Sequence, residues 1–357
     1  MDGIGEGGAL GGAPIDSAAK AAIKAQVQAA QRGGTKNAEA HEQYLQGRYF
    51  QSRDLMADLA RPVEHFQRAV ELDPQFALGW AALSLAYSTQ ANLALTVAEI
   101  TEGFAQARRA ADRALILEPN LAEAFDARML IQLNHDFDWQ GARKSLQQAR
   151  TLAPPNPTTL VYAFELDDIF GQTDKKKNLE LIRQALALDP FNVSLRNLLA
   201  GCLQANGRFD EAEAEMKRLI SLSPNGSHGT LGALYLERQR FPEAVAEAER
   251  EPVEWIRLFT LAEAYWAQKN SAASDAALRK LIETYPEQCG LQIAFVYGFR
   301  GELDQAFAWL ERAYRQRDTG LPGIKGIQNE SAQRRLCADP RWQIFLRKLG
   351  QADEQLK

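Results

Sequence analysis

One short stretch of this sequence places a histidine beside carboxylates: His135, Asp136 and Asp138 follow one another almost directly. Imidazole and carboxylate groups at this spacing could ligate a metal ion or exchange a proton with a substrate. The same residues also suit a turn between two helices, in which an aspartate caps the second helix, and we prefer this interpretation. The remaining histidines are dispersed and show no metal-ligand spacing.

Nucleophiles and phosphate-binding loops give no stronger signal. Cys202, Cys289 and Cys337 are odd in number and far apart, which indicates reduced thiols and neither a zinc site nor a redox pair. No serine stands in a nucleophile elbow, and no glycine-rich loop follows a strand. The sequence therefore predicts a protein that is not an enzyme, with no catalytic residues, no metal and no cofactor.

Composition narrows the class of partner. The chain has 357 residues, a formal net charge of −5 and 46% hydrophobic residues. No run approaches ~18 apolar residues and the start is not basic, so we expect no membrane span, no secretion signal and a cytoplasmic location. Two local basic clusters, at 20–36 and 334–348, lack interleaved aromatic residues and are interpreted as solvated helix faces, so no nucleic acid partner is expected. A homo-oligomer is left open.

Prolines set the periodicity of the chain. Seven of them recur at intervals of 45, 35, 36, 34, 28 and 34 residues: Pro74, Pro119, Pro154, Pro190, Pro224, Pro252 and Pro286. Most follow a large apolar or alanine residue by eight positions and an alanine or leucine by five, as in Ile182, Ala185 and Pro190. A period near 34 with a helix that ends before proline is typical of tetratricopeptide repeats. We predict an all-α fold, a right-handed superhelical solenoid of about eight tetratricopeptide helix pairs with a C-terminal capping helix.

The predicted division of the chain has three parts. Residues 1–36 form a flexible glycine-rich lead with an alanine-rich helix, residues 37–320 the superhelix, and residues 321–357 the cap and tail. Pro340 to Leu349 carries apolar residues at helical spacing after Asp339, a candidate N-cap. The sixth unit is short, because its second helix must end before Pro252, and we expect a bend there. An insertion at 91–103 is either a recognition loop or an extension of the first helix of unit two.

Three separated motifs add a family resemblance. They are Ala40 to Phe50, Asp136 to Trp139, and Leu336 to Trp342. Together they resemble the C-terminal tetratricopeptide region of bacterial signalling proteins, in which it follows an adenylate cyclase, a winged-helix regulator or a Ser/Thr kinase domain. None of those domains precedes the repeats here, so their activities are not carried over. The resemblance leaves two interpretations, a stand-alone adaptor or the regulatory tail of an effector absent from this chain.

The predicted binding surface is the concave groove, which helix A of each unit lines at about positions 2, 5, 9 and 12. Candidate residues for contact with a peptide or protein partner are Tyr44, Arg48, Asn197, Gln204, Phe259, Glu263, Trp266 and Phe295. Three of these, Phe259, Trp266 and Phe295, either form an apolar anchor site or lie beneath the folded-back cap. The predicted function is a non-catalytic interaction scaffold; the alternative is a sensory region of a signalling enzyme or transcriptional regulator.

Overall fold

The structure is a computed structural model that describes residues 33–53, 59–153, 157–171, 174–188, 190, 192–222, 228–329 and 333–356. This part of the chain is all-helical, without strands. The alanine-rich helix predicted between residues 16 and 31 lies outside the described residues.

Sixteen of the helices form eight consecutive pairs, which we call units one to eight, with helix A before helix B in each. The first four pairs are α1 (Ala38–Arg53) with α2 (Ala60–Leu72), α3 (Ala77–Asn92) with α4 (Val97–Leu117), α5 (Ala122–Ile131) with α6 (Trp139–Leu152), and α7 (Pro157–Ile169) with α8 (Lys175–Leu188). The next four are α9 (Val193–Ala205) with α10 (Phe209–Leu222), α11 (His228–Glu237) with α12 (Phe241–Arg250), α13 (Glu254–Ala267) with α14 (Ser271–Thr284), and α15 (Gly290–Arg300) with α16 (Leu303–Gln316). The predicted solenoid of eight helix pairs is confirmed.

Small residues on helix A let helix B approach closely. A Cβ atom added at Gly47 of α1 would stand 2.6 Å from the Phe66 ring of α2, so only glycine leaves room for that ring. The B helices are amphipathic: α16, for example, buries Ala306, Phe307, Leu310 and Ala313 on one stripe. This alternation of small and large residues is the packing that the sequence period predicts.

Proline ends the B helices in a repeated way. Asp73 and Glu118, the residues before Pro74 and Pro119, are both extended, with φ/ψ of −140°/92° and −139°/92°. Proline disfavours the helical conformation of the residue before it, so each helix ends at this point. Helix α12 is shorter, with 10 residues against 13 in α2 and 14 in α14, which confirms the short sixth unit. The bend expected there stays a prediction.

Both sequence interpretations of the 91–103 insertion are wrong. Helix α3 ends at Asn92 and α4 begins at Val97, so most of the insertion forms the first turns of helix B, which is 21 residues long. Thr96 starts this helix with a capping box, because its side chain accepts from Glu99 N–H while the Glu99 carboxylate accepts from Thr96 N–H. Gly103 brings α4 against Ala91, since a Cβ there would lie 2.7 Å from the Ala91 Cβ.

The chain after unit eight forms a compact end. It contains a 3₁₀ helix (Leu321–Asn329), α17 (Arg334–Ala338) and α18 (Pro340–Leu349). Asp339 accepts from the Arg341 N–H at 2.9 Å, which confirms it as the N-cap of α18. Helix α18 buries Trp342, Phe345, Leu346 and Leu349, so the predicted capping helix is present. We call residues 318–356 the tail.

The solenoid closes on itself, because its C-terminal end meets units two to four. Side chains of this end bind backbone groups where helix A gives way to helix B: Arg317 Nη1 donates to His135 O at 2.8 Å, Thr319 Oγ1 to Asn92 O at 3.1 Å, and Lys325 Nζ to Ile169 O at 2.9 Å. In the reverse direction, the Trp139 indole N–H donates to Leu349 O at 3.0 Å, and Val97 N–H donates to the Glu287 carboxylate at 2.9 Å. One apolar cluster spans this contact, from Met129 and Trp139 to Trp342 and Leu356.

Candidate partner-binding groove

At the N-terminal end of the predicted groove, Tyr44 is mainly a packing residue. Its ring meets Phe76 edge-on at 5.3 Å between centroids and Phe66 at 5.8 Å. Burial raises the pKa of the Tyr44 hydroxyl, against the nearby charge of Arg48. Arg48 itself is exposed and also approaches Glu123. Burial raises the pKa of Glu123, and the nearby charge of Arg48 opposes this rise. This end of the groove therefore joins an aromatic core to a charged rim.

The face of unit two that corresponds to the groove is closed. Its helix α3 buries eleven of its sixteen residues, among them Leu78, Ala81, Leu85 and Ser88. Side chains that are buried in this way cannot contact a partner.

The tail covers the groove on units three and four. Leu133, Leu166 and Ile169 lie in one buried cluster with Leu321 and Ile324 of the 3₁₀ helix. Beside them stands Glu165, whose Oε1 would be 3.8 Å from a Cβ atom at Gly323.

The tail also covers units seven and eight. The Gln333 amide donates to Glu263 Oε1 and to Phe295 O, each at 3.4 Å. A Cβ at Gly298 would meet Leu336 at 3.2 Å, so the tail lies directly on helix α15. Glu263 is only 6% exposed as a result.

The three aromatic residues proposed as an anchor do not share one cluster. Phe295 packs with the tail cluster, whereas Phe259 packs with the cluster of Leu258 and Leu278. The Trp266 ring faces the Arg300 guanidinium, at 5.0 Å from ring centroid to Cζ. Of the two sequence interpretations, the position of Phe295 agrees with a folded-back cap.

Units five and six remain open among the described residues. Asn197 and Gly201 of α9 are exposed, as are Thr230 and Ala233 of α11. At the end of this face Gln204 Nε2 donates to Glu237 Oε2 at 2.5 Å and links the two helices. We call the surface of Asn197, Gly201, Gln204, Thr230, Ala233 and Glu237 the open face.

Carboxylates stand beside the open face and under the tail. Burial, and then the charge of Asp168, raise the pKa of Glu165 to about 7. Burial and Asp168 likewise raise the pKa of the Cys202 thiol to about 11, which places Asp168 beside α9. In the tail, burial raises the pKa of Asp318 to about 6, although its carboxylate accepts from the N–H groups of Leu291 and Gly320, each at 3.0 Å.

The His135–Asp138 stretch has a structural role, as preferred from the sequence: His135 and Asp136 end a π-helix (Gln132–Asp136) that continues α5, and Asp138 begins α6. Arg108 grips the Asp136 carboxylate at 2.6 and 2.8 Å, and Asp138 accepts from Gly141 N–H at 2.9 Å as the N-cap of α6. Burial opposes the charged form of Asp136, but hydrogen bonds from His135 and Arg108 outweigh it and lower the pKa. In the described part of the chain, no group of three or more His, Cys, Asp or Glu residues is placed to hold a metal ion.

Sequence reasoning missed that two of the motifs form one contact. Trp139 of the Asp136–Trp139 motif touches the end of α18, the helix that the Leu336–Trp342 motif begins. Both tryptophans are buried in the same cluster. The sequence did hold a signal that both tryptophans are special, since each falls in the first turn of a helix after an aspartate cap. That pattern did not indicate that the two motifs contact each other.

Comparison with known proteins gives the class of fold. Two stretches, 179–229 and 258–287, match family models described as tetratricopeptide repeat. None of the curated proteins matches the chain. The similar solved structures include the Cut9–Hcn1 heterotetramer of the APC/C (14% identity, TM-score 0.53, covering 81% of this chain and 53% of that one) and the human IFIT1 dimer with PPP-AAAA (16%, 0.50, 72% and 68%). The type IV pilus biogenesis factor PilW is also similar (16%, 0.47, 62% and 97%).

The chain therefore contains tetratricopeptide repeats arranged in an all-helical solenoid. At such identities the neighbours establish the fold alone, and the resemblance to cyclase, regulator and kinase proteins stays a prediction. Proteins of this fold typically act as non-catalytic scaffolds that mediate protein–protein interaction. Within the described ranges, no helix has the length and apolar character needed to cross a bilayer.

Proposed function

We propose that this chain is a non-catalytic scaffold that holds a peptide or protein segment against the open face of units five and six. The observation that supports the proposal is a contrast along the groove: the helix A faces of units two, three and eight are largely buried or lie under the tail, whereas Asn197, Gly201, Thr230 and Ala233 are exposed. Helix A is the surface on which tetratricopeptide proteins bind their partners.

Phe259 and Trp266 extend this site toward unit seven. Both are half-buried, and they lie on helix α13, which follows α11 in the stack. Aromatic side chains that are partly exposed contribute strongly at protein interfaces. Glu263 and Phe295, in contrast, would become accessible only when the tail moves.

The test is site-specific photo-crosslinking in the cells that produce the protein. A benzophenone amino acid at Asn197 should give a discrete partner adduct, identified by mass spectrometry. The same amino acid at Ile116, which is 71% exposed on a B helix, is the matched control. Adducts of equal yield at both positions, or none at Asn197, would contradict the proposal.

A further inference from the structure

A surface at the junction of units three and four carries positive charge. Helix α6 contains Arg143, Lys144 and Arg150 but no Asp or Glu, and α8 begins with three lysines, Lys175 to Lys177. Residues 139–188 hold seven Lys or Arg against five Asp or Glu, whereas the whole chain holds 41 against 46. The sign of the charge is therefore reversed in this part of the solenoid.

Three of these cations converge on a single carboxylate. Arg143 and Arg150 lie two turns apart on one face of α6, with the exposed Gln147 between them. Burial raises the pKa of Asp167, a half-buried residue of α7, and nearby positive charges oppose the rise. These charges belong to Arg150, Lys177 and Arg143, on the two neighbouring B helices. We call Arg143, Arg150 and Lys177 the basic patch.

The other carboxylates nearby are engaged elsewhere. Asp168, the next residue of α7, raises the pKa of Asp167 and, together with burial, that of the Cys202 thiol on α9, so it stands toward unit five. Asp174 accepts from two backbone N–H groups at the start of α8, at 3.1 and 3.0 Å. The three cations of the basic patch therefore outnumber the carboxylates of α7 that approach them.

Several cations on other B helices hold acidic partners. Examples are Arg109 with Glu102 at 2.9 Å, Lys217 with Glu213 at 2.8 Å and Lys280 with Glu254 at 2.5 Å. In the described part of the chain Arg150 and Lys177 form no such ion pair, and both are exposed. Lys177 also stands in the first turn of α8, where the positive end of the helix dipole disfavours a cation. Local helix stability therefore does not account for Lys177.

Arg143 is held in position by an aromatic ring. Its guanidinium lies over Phe170, at 4.5 Å from Cζ to the ring centroid. The planar group keeps its N–H donors in a fixed fork that matches a carboxylate. Because Arg143 covers the ring, Phe170 is not free to stack on a base, which favours a peptide partner over a single-stranded nucleic acid.

From these observations we propose that the basic patch binds an acidic peptide segment of a partner protein, with Asp or Glu side chains against Arg143, Arg150 and Lys177. The two arginines lie roughly 10 Å apart along the axis of α6, so one short segment reaches both. Positive charge without paired acids is complementary to such a segment and repels a basic one. The surface is separate from the open face, so the proposal does not rest on the proposed function.

The experiment measures fluorescence anisotropy of a labelled octaglutamate peptide with the full chain. Octaglutamate should bind, with an affinity that falls as salt rises, and labelled octalysine should not. The double variant Arg150→Gln with Lys177→Gln should bind octaglutamate at least tenfold more weakly. Arg279→Gln, an exposed cation on α14, is the control and should leave the affinity unchanged. Absence of binding to the wild type, or equal losses in both variants, would overturn the proposal.

Asp167 supplies a readout of opposite sign. Asp167→Asn removes the carboxylate that competes with the partner for the same cations, so it should strengthen octaglutamate binding by about threefold. A purely structural role for Asp167 predicts no gain in affinity. Unchanged or weaker binding in this variant would overturn the placement of the acidic segment at the basic patch.

The class of partner is tested in cells and against RNA. A benzophenone amino acid at Gln147 should crosslink to a segment richer in Asp and Glu than in Lys and Arg, and the double variant should lose this adduct. A single-stranded RNA oligonucleotide that binds more tightly than octaglutamate, through the same residues, would overturn the protein partner. An adduct with a segment of no acidic excess would also overturn it.

Discussion

At the residue scale, the buried side chain of Arg300 places a positive charge in the interior of the solenoid. Its side chain is 3% exposed and holds Asp275 at 2.8 Å and Ser274 Oγ at 2.5 Å, while its guanidinium lies over Trp266. The planar fork of arginine meets these three groups at once, and the single ammonium of lysine cannot. The ion pair with Asp275 and the hydrogen bond to Ser274 therefore connect helix α15 to helix α14 through geometry as well as charge.

We expect Arg300→Lys to lower the free energy of unfolding by about 1–3 kcal/mol, because the buried Ser274 Oγ loses the hydrogen bond that the guanidinium donates. Urea denaturation of the two proteins measures this difference. Arg279→Lys, on the exposed side of α14, is the control and should change it by less than about 0.5 kcal/mol. A loss for Arg300→Lys no larger than that of the control would show that the fork geometry is unimportant.

Glu165 makes stability depend on pH. Its pKa in the folded protein is about 7, above the ordinary value of 4.5, so the folded state binds a proton that the unfolded state releases. Its contribution therefore favours folding at low pH and is lost as pH rises from about 4.5 to about 7. Glutamine, which is neutral at every pH, removes this dependence.

Glu165→Gln should consequently raise the free energy of unfolding at pH 8 by ~1–2 kcal/mol and leave it nearly unchanged at pH 4.5. The full difference between the two pKa values would give more, but water reaches part of this side chain. Thermal melts at the two pH values measure the effect, with Glu180→Gln as the exposed control. An equal shift at both pH values would indicate a packing effect and not a titration.

At the scale of the element, the 91–103 insertion shows how a short capping motif determines where a helix begins. Thr96 and Glu99 form a capping box, so the chain re-enters a helix only four residues after α3 ends. The short connection then meets the far end of the solenoid through Val97 N–H and Asn92 O. The extra residues therefore build a contact between distant units and leave no long loop.

Thr96→Ala should reduce the free energy of unfolding by ~0.5–2 kcal/mol, the usual cost of losing a threonine N-cap. Amide hydrogen exchange should increase in the first turn of α4 and around Glu287, which shares the contact. Thr101→Ala is a matched control, because Thr101 Oγ1 only returns a bond to Val97 O within the same helix. Faster exchange in both variants alike would argue against the capping role.

Much of the repeat architecture could be predicted because each unit carries its own signals. Pro74 and Pro119 end helices, Gly47 admits Phe66, and Asp339 begins α18, all within one or two units of sequence. The tail contact could not be predicted in this way, because Trp139 and Leu349 lie 210 positions apart. The spacing of a sequence repeat predicts contacts between neighbouring units, but it does not predict which distant units meet in the folded chain.

The candidate site likewise has features that the local sequence predicts and features that depend on contacts between distant residues. The periodicity identified the stripe that contains Asn197 and Gln204, and the structure leaves that stripe exposed or half-buried. Whether Glu263 and Phe295 were accessible depended on where Gln333 lies, which no local pattern encodes. Sequence therefore predicted the surface but not which part of it the chain covers.

For the whole molecule, the closed arrangement changes how it should unfold. In an open solenoid each repeat contacts only its neighbours, and long arrays lose cooperativity. Here the tail, together with Arg317 just before it, joins units two to four with units seven and eight. The contacts run through Thr319, Trp139, Lys325 and Gln333. These cross-contacts couple the two ends of the array.

We expect a single unfolding transition, coincident by tryptophan fluorescence and by circular dichroism. In a double variant, Trp139→Phe with Arg317→Ala, the indole and guanidinium bonds across the closure are lost, so the fluorescence and dichroism transitions should separate. The single variant Arg279→Ala, away from the closure, should retain one transition. Separate transitions already in the wild type would show that the tail does not couple the ends.

The same closure has a consequence for the chain as it leaves the ribosome. Trp139 emerges long before Leu349, its partner 210 residues downstream. At synthesis rates of ~5–20 residues per second, the apolar edge of units three and four waits about 10–40 s for its cover. During that interval Leu166 and Ile169, which are buried in the finished molecule, lack the part of their apolar cluster that Leu321 and Ile324 supply. Nascent chains stalled before residue 318 should therefore recruit chaperones that the completed protein no longer needs.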